Sequence, residues 1–285
     1  MDKLLYFFVF LFGSAIGSFL NVVIYRLESE EEIVKKRSHC VNCGQTLRWP
    51  DLIPLFSFFY LGGRCRYCHK KISWQYPLVE LLTGLIFVLI FKIQFLNFSQ
   101  FFYLGFSDFS FLRLINFFYF LYAACSLLVI FVFDLRYYFI PDKVLLPLIL
   151  ITFFWRGYLS LKTLKGSILL DWLLVFKNFA PYFFSALGAF AFFLAIILIT
   201  RGKGMGFGDA KLVFLLGLIL GWPKIFIALF LSFFIGSLVG LALILIKKKS
   251  WKSSVPFGPF LIGATVLTIF FGQTLIKVIL PFYYF

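Results

Sequence analysis

The chain has 285 residues, of which 62% are hydrophobic and only 14% charged, and its net charge is +15. Soluble domains lie nearer half apolar and a quarter charged, so this composition excludes a water-soluble globular protein and fits a bilayer. The basic balance reads as loop charge on the cytoplasmic side of a membrane protein, not as a basic face for nucleic acid, and no nucleic-acid partner is expected.

Apolar runs are taken as membrane helices where they approach the ~20 residues needed to span a bilayer. The first, 4–25, is longer than a signal-peptide core and has no small-residue cleavage site after it, so a retained helix is expected. A polar insertion follows at 26–76. Further runs fall at 77–97, 111–133, 143–156, 180–200, 209–221, 223–247 and 258–282. The fold class is therefore an all-α polytopic membrane protein of about eight helices. The runs 143–156 and 209–221 are short. Between them, 157–179 is ambiguous: Arg156, Lys162, Lys165 and Lys177 lie around SILLDWLLVF, a pattern open to an interfacial amphipathic helix. Basic residues crowd the 26–76 loop, the hinge at Arg201 and Lys203, and the KKKSWK turn at 247–252. With eight spans these share one side, which the positive-inside rule makes cytoplasmic. The basic connector 157–179 falls on the other side and weakens that count. No internal repeat is visible.

The 26–76 loop contains SHCVNCGQTLRWPDLIPLFSFFYLGGRCRYCHKKIS, in which Cys40, Cys43, Cys65 and Cys68 form two CxxC pairs. Each pair suits a tight knuckle presenting two thiolates to one tetrahedral ion, so a structural zinc site is expected, with a redox or disulfide pair or free thiols as the alternatives. Four protein ligands leave no open position, so such a metal organises the loop and does not hydrolyse. His39 and His69 neighbour the cysteines as surface or supporting residues, and Cys125 reads as a small core residue.

The acids are few, and those at helix ends in a membrane protein are functional candidates. Asp134 follows SLLVIFVF, Asp142 closes DLRYYFIPD, and Asp209 follows the glycine turn GMGFG before the run LVFLLGLILGW. Asp134 and Asp209 end or begin different helices on the same side. If they meet, they share one proton; the ionised member activates water and the protonated one polarises a carbonyl. Gly206 and Gly208 would let an extended substrate approach the backbone beside Asp209. The other reading is a loop with a capping Asp at a helix start. The two readings are compatible, and the residues alone leave both open.

These motifs, in this order, resemble the type IV prepilin leader peptidases across nearly the whole length. GSAIGSFLNVVIYRL at 13–27 is similar to the family's opening helix. The two CxxC pairs with WPDLIPLFSF and GGRCR are similar to its cytoplasmic loop, and YPLVELLTG at 76–84 to the next helix. FDLRYYFIPD and GMGFGDAKL are similar to its two aspartate motifs, and VPFGPFL at 255–261 to its last helix start. The resemblance implies a bifunctional enzyme of the bacterial inner membrane with its active site toward the cytoplasm. It would cleave the basic leader of a prepilin or pseudopilin, then methylate the new N-terminal amine with S-adenosylmethionine. It implies Asp134 and Asp209 as the catalytic pair, with Asp142 the second choice to Asp134, and Lys211 at the position of the motif's lysine. CVNC departs from the family's frequent proline after the first cysteine, but the thiolates remain. No strand–GxGxxG–helix unit marks a cofactor site; Glu80 is a candidate contributor or an exposed first-turn acid.

The functional blocks expected are 1–25 as the first helix, 26–76 as the four-cysteine loop associated with methyl transfer, and 77–285 as the peptidase helices. Two other classes use the same features: an ion transporter with intramembrane carboxylates, and a non-catalytic zinc-loop assembly factor. The run ESEEE, with Glu28, Glu30, Glu31 and Glu32, is either a recruitment patch for a basic leader or a solvated loop.

Overall fold

The computed structural model describes residues 2–29, 37–94, 111–161, 168–202, 204–246 and 255–279. Glu30, Glu31, Glu32, Lys35, Lys36, Asp108, Lys162, Lys165, Lys203 and the 247–252 turn lie outside them. The described helices are α1 (Asp2–Ser29), α2 (Phe56–Tyr60), α3 (Gln75–Gln94), α4 (Phe111–Tyr137), α5 (Asp142–Leu161), α6 (Ile168–Ile199), α7 (Phe207–Leu220), α8 (Lys224–Leu245) and α9 (Gly258–Ile279). A 3₁₀ turn spans Trp49–Leu52. Among the described residues there is no strand, only the isolated bridges His39–Thr46 and Arg64–Lys71.

The all-α polytopic expectation holds. Among the described residues, seven helices are long and apolar enough to cross a membrane. The run expected at 209–221 is α7, with 14 residues, about 21 Å at 1.5 Å per residue and short of a ~30 Å hydrocarbon core. The run expected at 143–156 proves longer, because α5 continues to Leu161. Arg156 ended the apolar pattern, but its guanidinium is satisfied by carbonyl oxygens of α7 and the helix runs on. The connector 157–179 does not form a separate interfacial helix over its described second half. Residues from Ile168 onward belong to α6, which carries Pro181 inside it.

The chain divides into two compact units, Met1–Val129 and Ile130–Phe285, with the boundary inside α4. In the first, α1 packs along α3. Their backbones approach closely, since a Cβ at Gly17 would lie 2.8 Å from Glu80 Cα. Small residues serve this purpose in lipid, where helices associate by packing and not by a hydrophobic drive. In the second unit, α7 is the centre. It packs on α5, α6, α8 and α9, and eight of its residues are buried. A helix apolar on every side belongs in such a core.

Candidate active site

The FDLRYYFIPD segment ends α4 and starts α5. The Tyr138 N–H donates to the Asp134 carbonyl at 2.9 Å, and Tyr138 takes a left-handed φ of 57° that turns the chain out of the helix. Asp134 therefore sits one turn before the helix end, 4% exposed. Its Oδ2 accepts the Gly258 N–H, the first residue of α9, at 3.0 Å. The carboxylate lies on a helix N-terminus, where the orphan N–H groups and the dipole favour negative charge.

Asp209 occupies the same kind of place on α7. Gly206 is the N-cap, and Asp209, three residues on, accepts the Gly206 N–H at 3.2 Å through Oδ2. It caps from inside the first turn and not as the N-cap itself. Asp209 stands close enough to Asp134 for their charges to repel. Among the described residues, the Oδ1 of each acid makes no hydrogen bond. One oxygen of each is held by backbone.

Gly208 has its open side filled by the protein. A Cβ there would meet Ile140 Cβ at 3.2 Å, and Ile140 is 4% exposed. The glycine lets the two aspartate-bearing turns pack together. Gly206 stays exposed, with only Asp209 and Gly208 atoms near its open side. Asp142 does not join the acid pair. It takes Lys211 Nζ at 2.9 and 2.7 Å through its two oxygens, tying the start of α5 to the first turns of α7.

The other predicted constellation lies in the first unit. The two knuckles repeat one geometry. The Cys40 N–H donates to the Gln45 carbonyl and Gly44 N–H to the Cys40 carbonyl; Cys65 and Lys70, then His69 and Cys65, do the same. The fourth position after each first cysteine is left-handed, with φ of 68° at Gly44 and 55° at His69. The four sulfur atoms lie within 4.8 Å of one another, and Cys40 and Cys68 Sγ are 3.9 Å apart. Tetrahedral zinc with ~2.3 Å bonds requires sulfurs about 3.8 Å apart, so the four thiols fit a metal ion. Neither histidine belongs to the cluster. Sulfurs this close ionise in steps. Burial raises the Cys40 thiol, but hydrogen bonds from the Cys43 and Asn42 backbone and neighbouring thiols bring it to about 7. The Gln45 backbone lowers Cys43, yet desolvation and the Cys40 and Cys68 sulfurs push it up to about 11.

Two further contacts shape this loop. Asp51 accepts from Arg66 Nε at 2.7 Å, the Arg48 N–H at 3.1 Å and Tyr67 hydroxyl at 3.3 Å. Burial would raise its carboxyl, but Arg66 and these donors hold it below the ordinary range. Glu80 is neither in the first turn of α3 nor exposed. It is 8% exposed and accepts the Leu55 N–H at 2.8 Å, tying the loop to the helix.

Sequence reasoning gave Gly258 no role, although VPFGPFL was noted; a glycine just before a proline at a helix start was the available signal. Arg156 was there only a cation beside an interfacial helix, though a lone cation in an apolar run was the signal of a contact, and Asp51 with Arg66 had no role.

A family model described as the bacterial peptidase A24 N-terminal domain matches residues 11–94. Another, described as the type IV leader peptidase family, matches residues 121–241. A prepilin leader peptidase/N-methyltransferase of Aeromonas salmonicida (strain A449) is 32% identical over 301 residues, covering 94% of this chain and 91% of that protein. The chain belongs to the type IV leader peptidase family. A second relative in this family, the prepilin leader peptidase/N-methyltransferase of Bacillus subtilis (strain 168), is 30% identical over 269 residues, with coverage of 94% and 95%. A third, so named in Myxococcus xanthus (strain DK1622), is 54% identical over 80 residues, which is 28% of this chain and 24% of that protein. No solved structure matches the chain. The family resembled by the motifs is the one found, and the apolar helices make this member a multi-pass bacterial membrane protein.

Proposed function

We propose that this protein cleaves the basic leader of a prepilin or pseudopilin at the cytoplasmic edge of the bacterial inner membrane, with Asp134 and Asp209 as the catalytic aspartates, and then methylates the new N-terminal amine. The observation that carries the peptidase half is the approach of two carboxylates from different helices, each anchored through one oxygen by a helix-start N–H. The ionised member takes a proton from water, which attacks the scissile carbonyl. The protonated member donates a hydrogen bond to that carbonyl and stabilises the developing oxyanion. Asp142 and Lys211 support the site by holding α7 in register with α5. The basic loops support a cytoplasmic orientation of the acids by the positive-inside rule.

We assign methyl transfer to the 26–76 loop with its adjoining helices, and peptidolysis to 77–285. The relatives named N-methyltransferase support the second activity. Zinc is the metal best suited to Cys40, Cys43, Cys65 and Cys68, by sulfur chemistry and spacing. It would keep the four thiolates ionised and fix the loop. S-adenosylmethionine, when bound, supplies an electrophilic methyl group. Ser14 Oγ and Asn21 Oδ1 are buried at the α1–α3 seam without hydrogen-bond partners among the described residues. Glu80 serves by holding Leu55 and with it the loop.

The test is purified protein with a prepilin and labelled S-adenosylmethionine, reading cleavage and methylation together. Asp134→Asn and Asp209→Asn should each abolish cleavage and still methylate a pre-cleaved pilin. Normal processing by Asp134→Asn would refute the pair and promote Asp142.

A further inference from the structure

Helix α7 bears Asp209 in its first turn, yet it is too short to cross a membrane. Its C-terminal turn packs among apolar helices, with Leu218 and Leu220 buried, and an unpaired carbonyl there is costly. Three of the last four carbonyls, those of Gly217, Leu218 and Ile219, have partners. The Gly221 N–H donates to the Gly217 carbonyl at 2.9 Å, with Ser185 Oγ at 3.4 Å from the same oxygen. Arg156, from α5, donates through Nε to the Leu218 carbonyl at 3.0 Å and through Nη2 to that of Ile219.

Arg156 is a cation inside a span, and such residues are retained for a purpose. No carboxylate among the described residues pairs with it. Its guanidinium instead lies 3.9 Å from the centroid of the Tyr182 ring on α6, a cation–π contact that grows stronger away from water. The planar fork suits two adjacent carbonyls at once, and its charge faces the negative end of the α7 dipole. On the α6 side the fit is closer still. A Cβ at Gly217 would lie 2.4 Å from Ala186 Cα, so the position of α7 along α6 has little latitude. The opposite end of α7 is held to α5 by Lys211 and Asp142. One arginine thus joins α5, α6 and the far end of the helix that delivers Asp209.

We infer that Arg156 is a positioning residue for peptidolysis: by capping the C-terminus of α7 against Tyr182, it sets the axial position of that helix and so the placement of Asp209 against Asp134. The inference rests on the proposed aspartate pair. A shift of α7 by about 1 Å suffices to matter, because misplacement of that size costs up to ~10²-fold in rate.

The experiment compares Arg156→Met, Arg156→Lys and wild type, purified whole in lipid nanodiscs, for cleavage of a prepilin across pH and for methylation of a pre-cleaved pilin. Arg156→Met should lose about a hundredfold in kcat for cleavage with KM within about twofold, as expected for transition-state geometry and not substrate binding. The limbs of its pH profile should move, because two carboxylates that stand farther apart couple less. Arg156→Lys, which keeps the charge but not the fork, should recover part of the rate. Methylation of pre-cleaved pilin should match wild type in both variants. The inference is overturned if Arg156→Met cleaves at the wild-type kcat. Parallel losses of cleavage and methylation with both pH limbs in place also overturn it, since that is simple loss of folded enzyme. Failure of the aspartate reading looks different: Asp209→Asn would then still cleave, whatever Arg156 does.

Discussion

Replacing Gly258 by Ala should disable the peptidase while leaving the fold and the methyl transfer. A Cβ at this position would stand 2.6 Å from Asp134 Oδ2 and 3.3 Å from its Cγ. Ordinary contact begins near 3.4 Å, so carboxylate and helix start must part by about 0.8 Å. Asp134 is 4% exposed and has little room to yield. Gly258 has no left-handed φ, so backbone strain plays no part and the effect is steric. The 3.0 Å hydrogen bond from the Gly258 N–H would lengthen or break. A hydrogen bond to a charged group contributes about 1.5–3 kcal/mol, equivalent to roughly 10- to 150-fold in rate if it is lost at the transition state. The displacement independently suggests a similar loss. The assay is kcat and KM for prepilin cleavage by purified enzyme, with methylation of a pre-cleaved pilin as the folding check. Gly263→Ala is the matched control on the same helix, where a Cβ meets nothing within 4 Å. Wild-type kcat in Gly258→Ala, or equal losses in both glycine variants, would refute the reasoning.

The remaining expectations concern the loop and the flanking ion pair. Metal analysis should find about one zinc per chain, and Ser at Cys40, Cys43, Cys65 or Cys68 should release it, loosen the loop to protease and impair methylation more than cleavage. Asp51 has a depressed carboxyl in the fold, so its contribution is present above the unfolded value near ~3.9 and is lost as pH falls through the folded one. The greater protease resistance of the wild-type loop over Asp51→Asn should therefore hold at neutral pH and disappear in strong acid; a gap that persists there counts against the Arg66 pair. Asp142→Asn and Lys211→Met should each slow cleavage by less than about tenfold, and the double variant should be no worse than the poorer single one, as for two halves of one interaction. Additive losses would show that the two residues act separately.

How much was legible depends on the distance over which each feature is encoded. The cysteine site could be read because each knuckle is built within six residues and the two copies share a pattern. The helices could be read because lipid demands long apolar runs. The aspartates stood out because an acid beside such a run is costly. The contact of Gly258 with Asp134 spans 124 residues, and no local pattern states which carboxylate a helix start will meet. Arg156 misled for a related reason. A cation ends an apolar run on any hydropathy count, and only the carbonyls of a helix more than 60 residues on explain why α5 continues. Gly208 was read as a gap for substrate, whereas the gap belongs to Ile140, a packing fact with no signature in the turn itself.

The placement of both acids at helix starts bears on how an acid pair works in a membrane protein. Two carboxylates brought close with little water lose their charge readily, since burial and mutual repulsion both favour the proton. A pair that took up two protons would lack a base. Here Asp134 meets the first N–H of α9 and Asp209 the N-cap N–H of α7, and each helix start favours negative charge with about half an elementary charge of opposite sign. Two such helix starts oppose the loss of the last negative charge without supplying a full cation, which would trap both acids as carboxylates. On the catalytic reading proposed above, this arrangement would let the pair keep one proton and one charge. Lys211 is engaged at two oxygens of Asp142; on the same catalytic reading, an ammonium turned onto Asp209 instead would remove the shared proton that acid–base exchange needs.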